Sequence, residues 1–318
     1  MLSRILGDKK NDYPSDPIAG TYGYGQNVLG TTVTTGIDVV EAIQIAKLKS
    51  DVLKVATHCG LQNDPLVTAL PTVTSGSIIL ASHFTAYKNC LDLLTVQRFA
   101  LGADQYSDEL ITPNLSSTRV TPWGNNLNYN NSPEIIRHSF TLDFTTPERA
   151  RYFFNAGSSI RFTASRTGGT VSSQNSWWSS TLGSLGTIIF NHNSTDSTGA
   201  GTGSGIGFYQ LTNNAQTVFT SAGAGSYSSY YYYYSPYRIN RYYITASCDI
   251  ASNSNGGARY IYFNVYFDDN HVQSAPRLYS TDMVDGTLSS NVSIRRASGV
   301  NVNVAAPTGV NTKLLSTN

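Results

Sequence analysis

Hydrophobic residues recur at two periods along the chain, and the change of period divides it. Ile45, Leu48, Val52, Val55 and Cys59 fall at helical intervals, with Lys47, Asp51 and Lys54 on another face and Gly60 as the stop. A second helix is predicted from about Ser82 to Ala100. Its stripe is Phe84, Tyr87, Leu91 and Leu94, and Gly102 closes it. From Ile135 onward the period is two. Ile136, His138, Phe140, Leu142 and Phe144 share one face, while Arg137, Ser139, Thr141 and Asp143 share the other. The segment PERARYFFNAGSSIRFTASRTGG reads as a complete unit. Thr145 or Thr146 caps a helix opened by Pro147, Gly157 stops it, and a strand alternating through Ile160, Phe162 and Ala164 ends at Gly168-Gly169. A short helix is predicted near SQNSWWSSTLGSL. Further strands are predicted at TIIF, GIGFYQL, TVFT, RYYITASC, RYIYFNVYF and GTLSSNVSIRR. In the second-last of these, Ile261, Phe263, Val265 and Phe267 face a core, and Tyr260, Tyr262, Asn264 and Tyr266 face outward.

These patterns predict an α+β chain: an N-terminal helical anchoring region, then a mainly antiparallel β-sandwich or sheet domain carrying one or two helices. Residues 1–35, with the Gly/Tyr tract GTYGYGQNVLG, read as an extended arm that lies on a neighbouring surface through Tyr22 and Tyr24. The helical pair occupies 36–105 and is expected to serve as the anchoring region. The Asn/Ser/Thr/Pro-rich stretch 106–133 reads as a linker in which Trp123 acts as a plug, and the β-rich domain runs over 134–318. No internal repeat of fixed period is present.

Composition narrows the function classes. Charged residues make up 13% of the chain, well below the ~25% usual for soluble domains. Gly, Ser, Thr, Asn and Tyr fill the difference, a composition made for turns and neutral polar contacts. The formal net charge of +1 gives no pull toward nucleic acid or acidic membranes. The start MLSRIL is too short for a signal peptide, and no apolar run approaches the ~20 residues that span a bilayer. We therefore expect a protein made in the cytoplasm that stays soluble or is built into a particle. Cys59, Cys90 and Cys248 have neither disulfide nor zinc spacing and read as buried small hydrophobes.

Candidate chemistry is sparse. STGAGTGSGIGFYQ lacks the Lys-Ser/Thr of a phosphate loop and reads as a hairpin loop. Asp268, Asp269 and His271 are the residues a hard cation would use. Their spacing matches no calcium loop, and acidic turn residues have conformational uses, so no metal and no cofactor is expected. His58, His83, His138, His192 and His271 are scattered, and no nucleophile elbow appears, so the chain reads as non-enzymatic. The strongest binding signal is SYSSYYYYYSPYRINRYY. Tyr230, Tyr231, Tyr232, Tyr233, Tyr234 and Tyr237 stand there beside Arg238 and Arg241, large contact surfaces that cost little entropy to order.

Taken in order, YGYGQ, DVLKVATHCG, ARYFFNAGSSIRFTASRTGG, GTIIFNHNSTDSTGAGTGSGIGFYQL, SNSNGGARYIYFNVYFDD and VDGTLSSNVSIRRASGVNV resemble virion structural proteins of tailed phages, particularly the T4-like phages of marine cyanobacteria. The resemblance spans most of the chain and brings no catalytic residues. It implies a virion location and assembly as an oligomer, a trimer or a hexamer-type ring, in the tail, neck or fibre apparatus beside other virion proteins. Two alternatives are a tail fibre or spike reading a host surface glycan, with the tyrosine run and the 194–205 loop as its contacts, and a capsid decoration protein. The long tyrosine run departs from the family pattern.

Overall fold

A computed structural model describes residues 6, 23–29, 40–102, 105–124, 134–221, 240–269 and 283–317. Eleven strands run β1 (Tyr106–Arg119), β2 (Glu134–Asp143), β3 (Ser159–Thr167), β4 (Ile188–Phe190), β5 (Thr195–Ser197), β6 (Thr202–Gly203), β7 (Gln216–Thr220), β8 (Arg241–Cys248), β9 (Tyr260–Asp269), β10 (Thr287–Ala297) and β11 (Thr308–Thr317). They lie in the order β5-β4-β3-β10-β1-β11-β2-β9-β8-β7-β6. All pairings are antiparallel except β1–β11, which meet in parallel at the single pair Thr112 and Thr308. The two ends of the order meet as well. Thr195 and Ser204, beside β5 and β6, exchange backbone bonds of 2.9 and 3.0 Å. The result is a flattened, nearly closed barrel whose halves face each other as a sandwich. The fold is α+β and dominated by its mainly antiparallel sheet.

The filling comes from the alternating faces. Phe263 of β9 meets Phe162 of β3 at 4.8 Å and Phe190 of β4 at 5.1 Å, edge to face across the interior. His138 of β2 bonds Ser290 of β10 through Nδ1 at 2.8 Å, so one buried polar pair ties the halves together. Helix α4 (Pro147–Asn155) caps one end of the barrel. Its N-cap is Thr146, whose hydroxyl accepts from the Arg149 N–H, and Gly157 turns the chain out at φ +77°. Phe153 and Phe154 are buried beneath it, and Phe154 stacks on Phe208 at 4.4 Å. Helix α5 (Ser173–Ser184) covers the half that contains β3.

The N-terminal helices form a layer at the α4 end. They are α1 (Ala42–His58), the single turn α2 (Pro65–Thr68) and α3 (Ala81–Gln97). Gly102 N–H bonds the His58 carbonyl at 2.8 Å. Phe99 stacks on His192 at 3.9 Å, and the chain at Phe99 passes so close to Gly157 that a Cβ there would stand 2.7 Å from the Phe99 carbonyl oxygen. Leaving this layer, the chain enters β1 directly.

Several expectations need correction. The predicted linker 106–133 contains β1, a fourteen-residue strand inside the barrel. Its ladder to β10 shifts register between Leu110 and Leu115, around Pro113, which has no N–H to donate. Trp123, farther along, is buried against Trp178 at 5.2 Å as a plug. GIGFYQL, expected as a strand, forms a 3-10 turn at Phe208–Gln210 because Phe208 is drawn into the core and its carbonyl is taken by Asn253 Nδ2 at 2.7 Å. Asp51, expected on an outer face of α1, is buried; its carboxylate accepts from the Leu29 N–H at 2.9 Å and pairs with Lys54 at 3.1 Å. The segment between α1 and α3, for which no element is predicted from the pattern, contains α2, capped by Asp64.

Candidate docking surface

The helical layer leaves an apolar groove on its outer side. On α1, Ile43, Ala46, Ser50 and Leu53 follow one another at intervals of three and four and form a stripe. Ala46, Ser50 and Leu53 line one wall of a groove of about 240 Å³, together with Ile45 and Lys49. Pro71, Thr72 and Val73 form the opposite wall, and Tyr87 of α3 the floor. Tyr87 is fixed there by donating its hydroxyl to the Pro71 carbonyl at 3.0 Å. Lys49 does not charge the groove freely, because its ammonium bonds the Leu70 carbonyl and the Thr72 hydroxyl, both at 2.8 Å.

The helices of this layer and the segment between them also expose large apolar side chains. Ile43 is 58% exposed, Phe84 51% and Ile78 80%, with Leu53, Leu66, Leu80 and Val96 also exposed. Phe84 was expected to point inward with Tyr87, Leu91 and Leu94. Tyr87, Cys90 and Leu94 do so, whereas Phe84, near the start of α3, is half exposed. Exposed large apolar side chains mark interaction surfaces where they are gathered, and singly scattered ones do not.

The inner side of the layer is sealed by contrast. Tyr24 is buried, its ring edge-on to His58 at 4.9 Å, and its hydroxyl donates to the Arg98 carbonyl. Burial holds the Tyr24 phenol well above its ordinary range and pushes His58 down to about 4 and Cys59 up to about 11. His192 is likewise lowered to about 4, first by burial and then by the charge of Arg98. Tyr24 is therefore a core residue of this chain and not a contact for a neighbour. Gln26 N–H bonds the carbonyl of the buried Leu6. The described part of the arm packs on its own chain.

The remaining candidates divide. Tyr22, Tyr230 to Tyr234, Tyr237, Arg238 and His271 lie outside the described residues. Arg241 is half exposed, ion-paired to Asp268 at 2.8 Å, and lies 5.0 Å over the ring of Tyr243. Asp268 and Asp269 are both buried; Asp269 accepts from Gln174 Nε2 of α5. Their use is thus structural, and among the described residues no group of three or more His, Cys, Asp or Glu could hold a metal ion. Cys59, Cys90 and Cys248 are buried free thiols. Arg295 and Arg296 are cross-strand partners: Arg295 holds Asp108 at 3.1 Å and Arg296 grips Glu109 at 2.6 Å, which keeps both carboxyls below their usual range. No described helix is long and apolar enough to cross a membrane.

No family model, curated protein or solved structure matches the chain.

Proposed function

We propose that the chain is a non-enzymatic structural protein of a tailed-phage virion, held in the tail, neck or fibre apparatus by its helical layer. The observation that carries this reading is the apolar groove lined by Leu53 and Tyr87, on helices that also expose Ile43, Leu80 and Phe84. Such a surface gains most when covered by another subunit, either a second copy or a neighbouring virion protein. The motif resemblance to virion proteins gives the reading its setting. A ring or trimer would bury equivalent grooves on each copy.

The location is tested by immunogold electron microscopy of virions with antibody against residues 135–318. Label on tail, neck or fibres is the expected result. Label on the head would shift the assignment to a decoration protein. A particle that carries no label, intact or partly disrupted, would overturn the virion reading.

A further inference from the structure

The outer face of the β11-β2-β9-β8 quarter of the barrel bears an organised set of rings and cations. Tyr243 of β8 and Tyr266 of β9 are direct cross-strand partners. Their rings are stacked at 4.5 Å and 7°. That separation is close to the ~4.8 Å between strands, so the ring normals run across the sheet. Arg241 lies over Tyr243 at 5.0 Å. Tyr266 therefore has one face covered and turns the other toward β2, where its register partner is Arg137. Lys313 of β11 is the partner of Ser139, one outward position along β2 from Arg137, and is exposed.

Charge on this face does not cancel. Asp268 is occupied by Arg241 at 2.8 Å and Asp143 by Arg259 at 2.7 Å. Among the described residues Arg137 and Lys313 have no carboxylate partner, so two cations remain beside the open face of Tyr266. Farther along β9, Tyr260 and Tyr262 form a second near-parallel pair at 6.4 Å and 13°, with Arg259 over Tyr260 at 4.6 Å. Tyr262 and Tyr266 are about 13 Å apart at ~3.3 Å per residue. Between them Ser139 and Asn264 join at 2.6 Å as a polar bridge.

We infer that this face binds an acidic oligosaccharide, a chain of sugar rings bearing carboxylates. A pyranose stacks its C–H face on a tyrosine ring, its carboxylate meets Arg137 and Lys313, and the span between the ring pairs accepts a chain of a few sugars. The proposal does not depend on a virion location. It also differs from a tyrosine-run receptor site, because Arg137, Tyr243, Tyr266 and Lys313 all lie on the strands.

The test is titration of the full-length protein with an oligogalacturonate hexamer and, in parallel, neutral maltohexaose, read by calorimetry. Binding of the acidic hexamer in clear preference to the neutral one is expected. Arg137→Gln with Lys313→Gln should weaken it roughly tenfold or more, the scale of one lost charge-assisted bond, and remove the preference. Tyr266→Ala should weaken both sugars. Unchanged melting of the variants separates loss of ligand from loss of fold. Failure to bind the acidic hexamer, or binding indifferent to the paired Arg137/Lys313 change, overturns the proposal. So does a stable self-associated form that Tyr262→Arg dissociates, since that would assign the face to a second copy.

Discussion

The helical layer and the barrel treat their outer surfaces in opposite ways. On the barrel, apolar residues turn inward along every alternating strand. Many outward positions go to tyrosines stacked in pairs and to arginines matched with carboxylates, as at Asp108, Glu109 and Asp143, although Leu110, Val120 and Val310 are exposed there too. On the helical layer Ile43, Leu53, Ile78, Leu80 and Phe84 stay outside around an apolar groove, while the face toward the barrel is closed by Tyr24, His58, Phe99 and His192. The barrel pairs most of its outward charges, while the layer seals only the side that faces the barrel. On the proposed reading, the exposed side of these helices is where another subunit joins.

Mutation should separate the two regions by the size of the response. The largest effect belongs to the barrel centre. Phe263→Ala should cost about 3–5 kcal/mol in denaturant unfolding, from lost burial and a residual cavity between Phe162 and Phe190, whereas Phe84→Ala should stay within about 0.5 kcal/mol. Equal costs would break the comparison.

Acid should act on the sealed interior next. His58 and His138, lowered to about 4 mainly by burial, stay neutral when folded, while the unfolded chain takes up protons below the ordinary value near 6.5. Stability is therefore complete above that value and is lost as pH falls toward 4, by up to roughly 3 kcal/mol for each histidine. The depressed carboxyls of Asp108, Glu109 and Asp143 lose their contribution at still lower pH. Urea midpoints measured between pH 7 and 4 should decline; a flat profile would contradict the buried neutral histidines.

The joint between the regions sharpens the comparison further. Gly157→Ala meets both a left-handed backbone and the Phe99 carbonyl, and should cost about 1–2 kcal/mol. Hydrogen exchange should quicken in α1 and α3 and leave β2 and β9 nearly unchanged. The smallest effect on stability should come from Leu53→Ser with Phe84→Ser, within about 0.5 kcal/mol for each. Sedimentation at rising concentration, alone and with candidate partner proteins, should show association lost in this variant.

Much of the barrel was legible because its strands alternate strictly. The period-two faces of β2 and β9 match burial in the structure, and the cap and stop of α4 stand where Thr146 and Gly157 put them. What could not be read was decided by distant residues. β1 is broken at Pro113 and gains its strand character from β10, nearly 200 positions later in the chain. β11 lacks a clean alternation and is held by β2. Tyr24 sits in a glycine-rich stretch that resembles a free arm, yet its ring is enclosed by α1 and by a carbonyl from Arg98. The open groove was half visible. The stripes of both helices were plain, but periodicity does not tell which residues of a stripe are covered by a neighbouring element, and Phe84 is left half exposed. The unpaired cations on the barrel face carried no sequence signal, since Arg137 and Lys313 become neighbours only through the β2–β11 register.

The central claim, that the open side of the helical layer is where the protein is held, is tested most directly by hydroxyl-radical footprinting of purified virions against the free chain. The account predicts that Leu53, Leu80 and Phe84 lose reactivity in the particle, by far more than the buried Phe263 changes. Equal reactivity of those three side chains in the particle and in the free protein would contradict it.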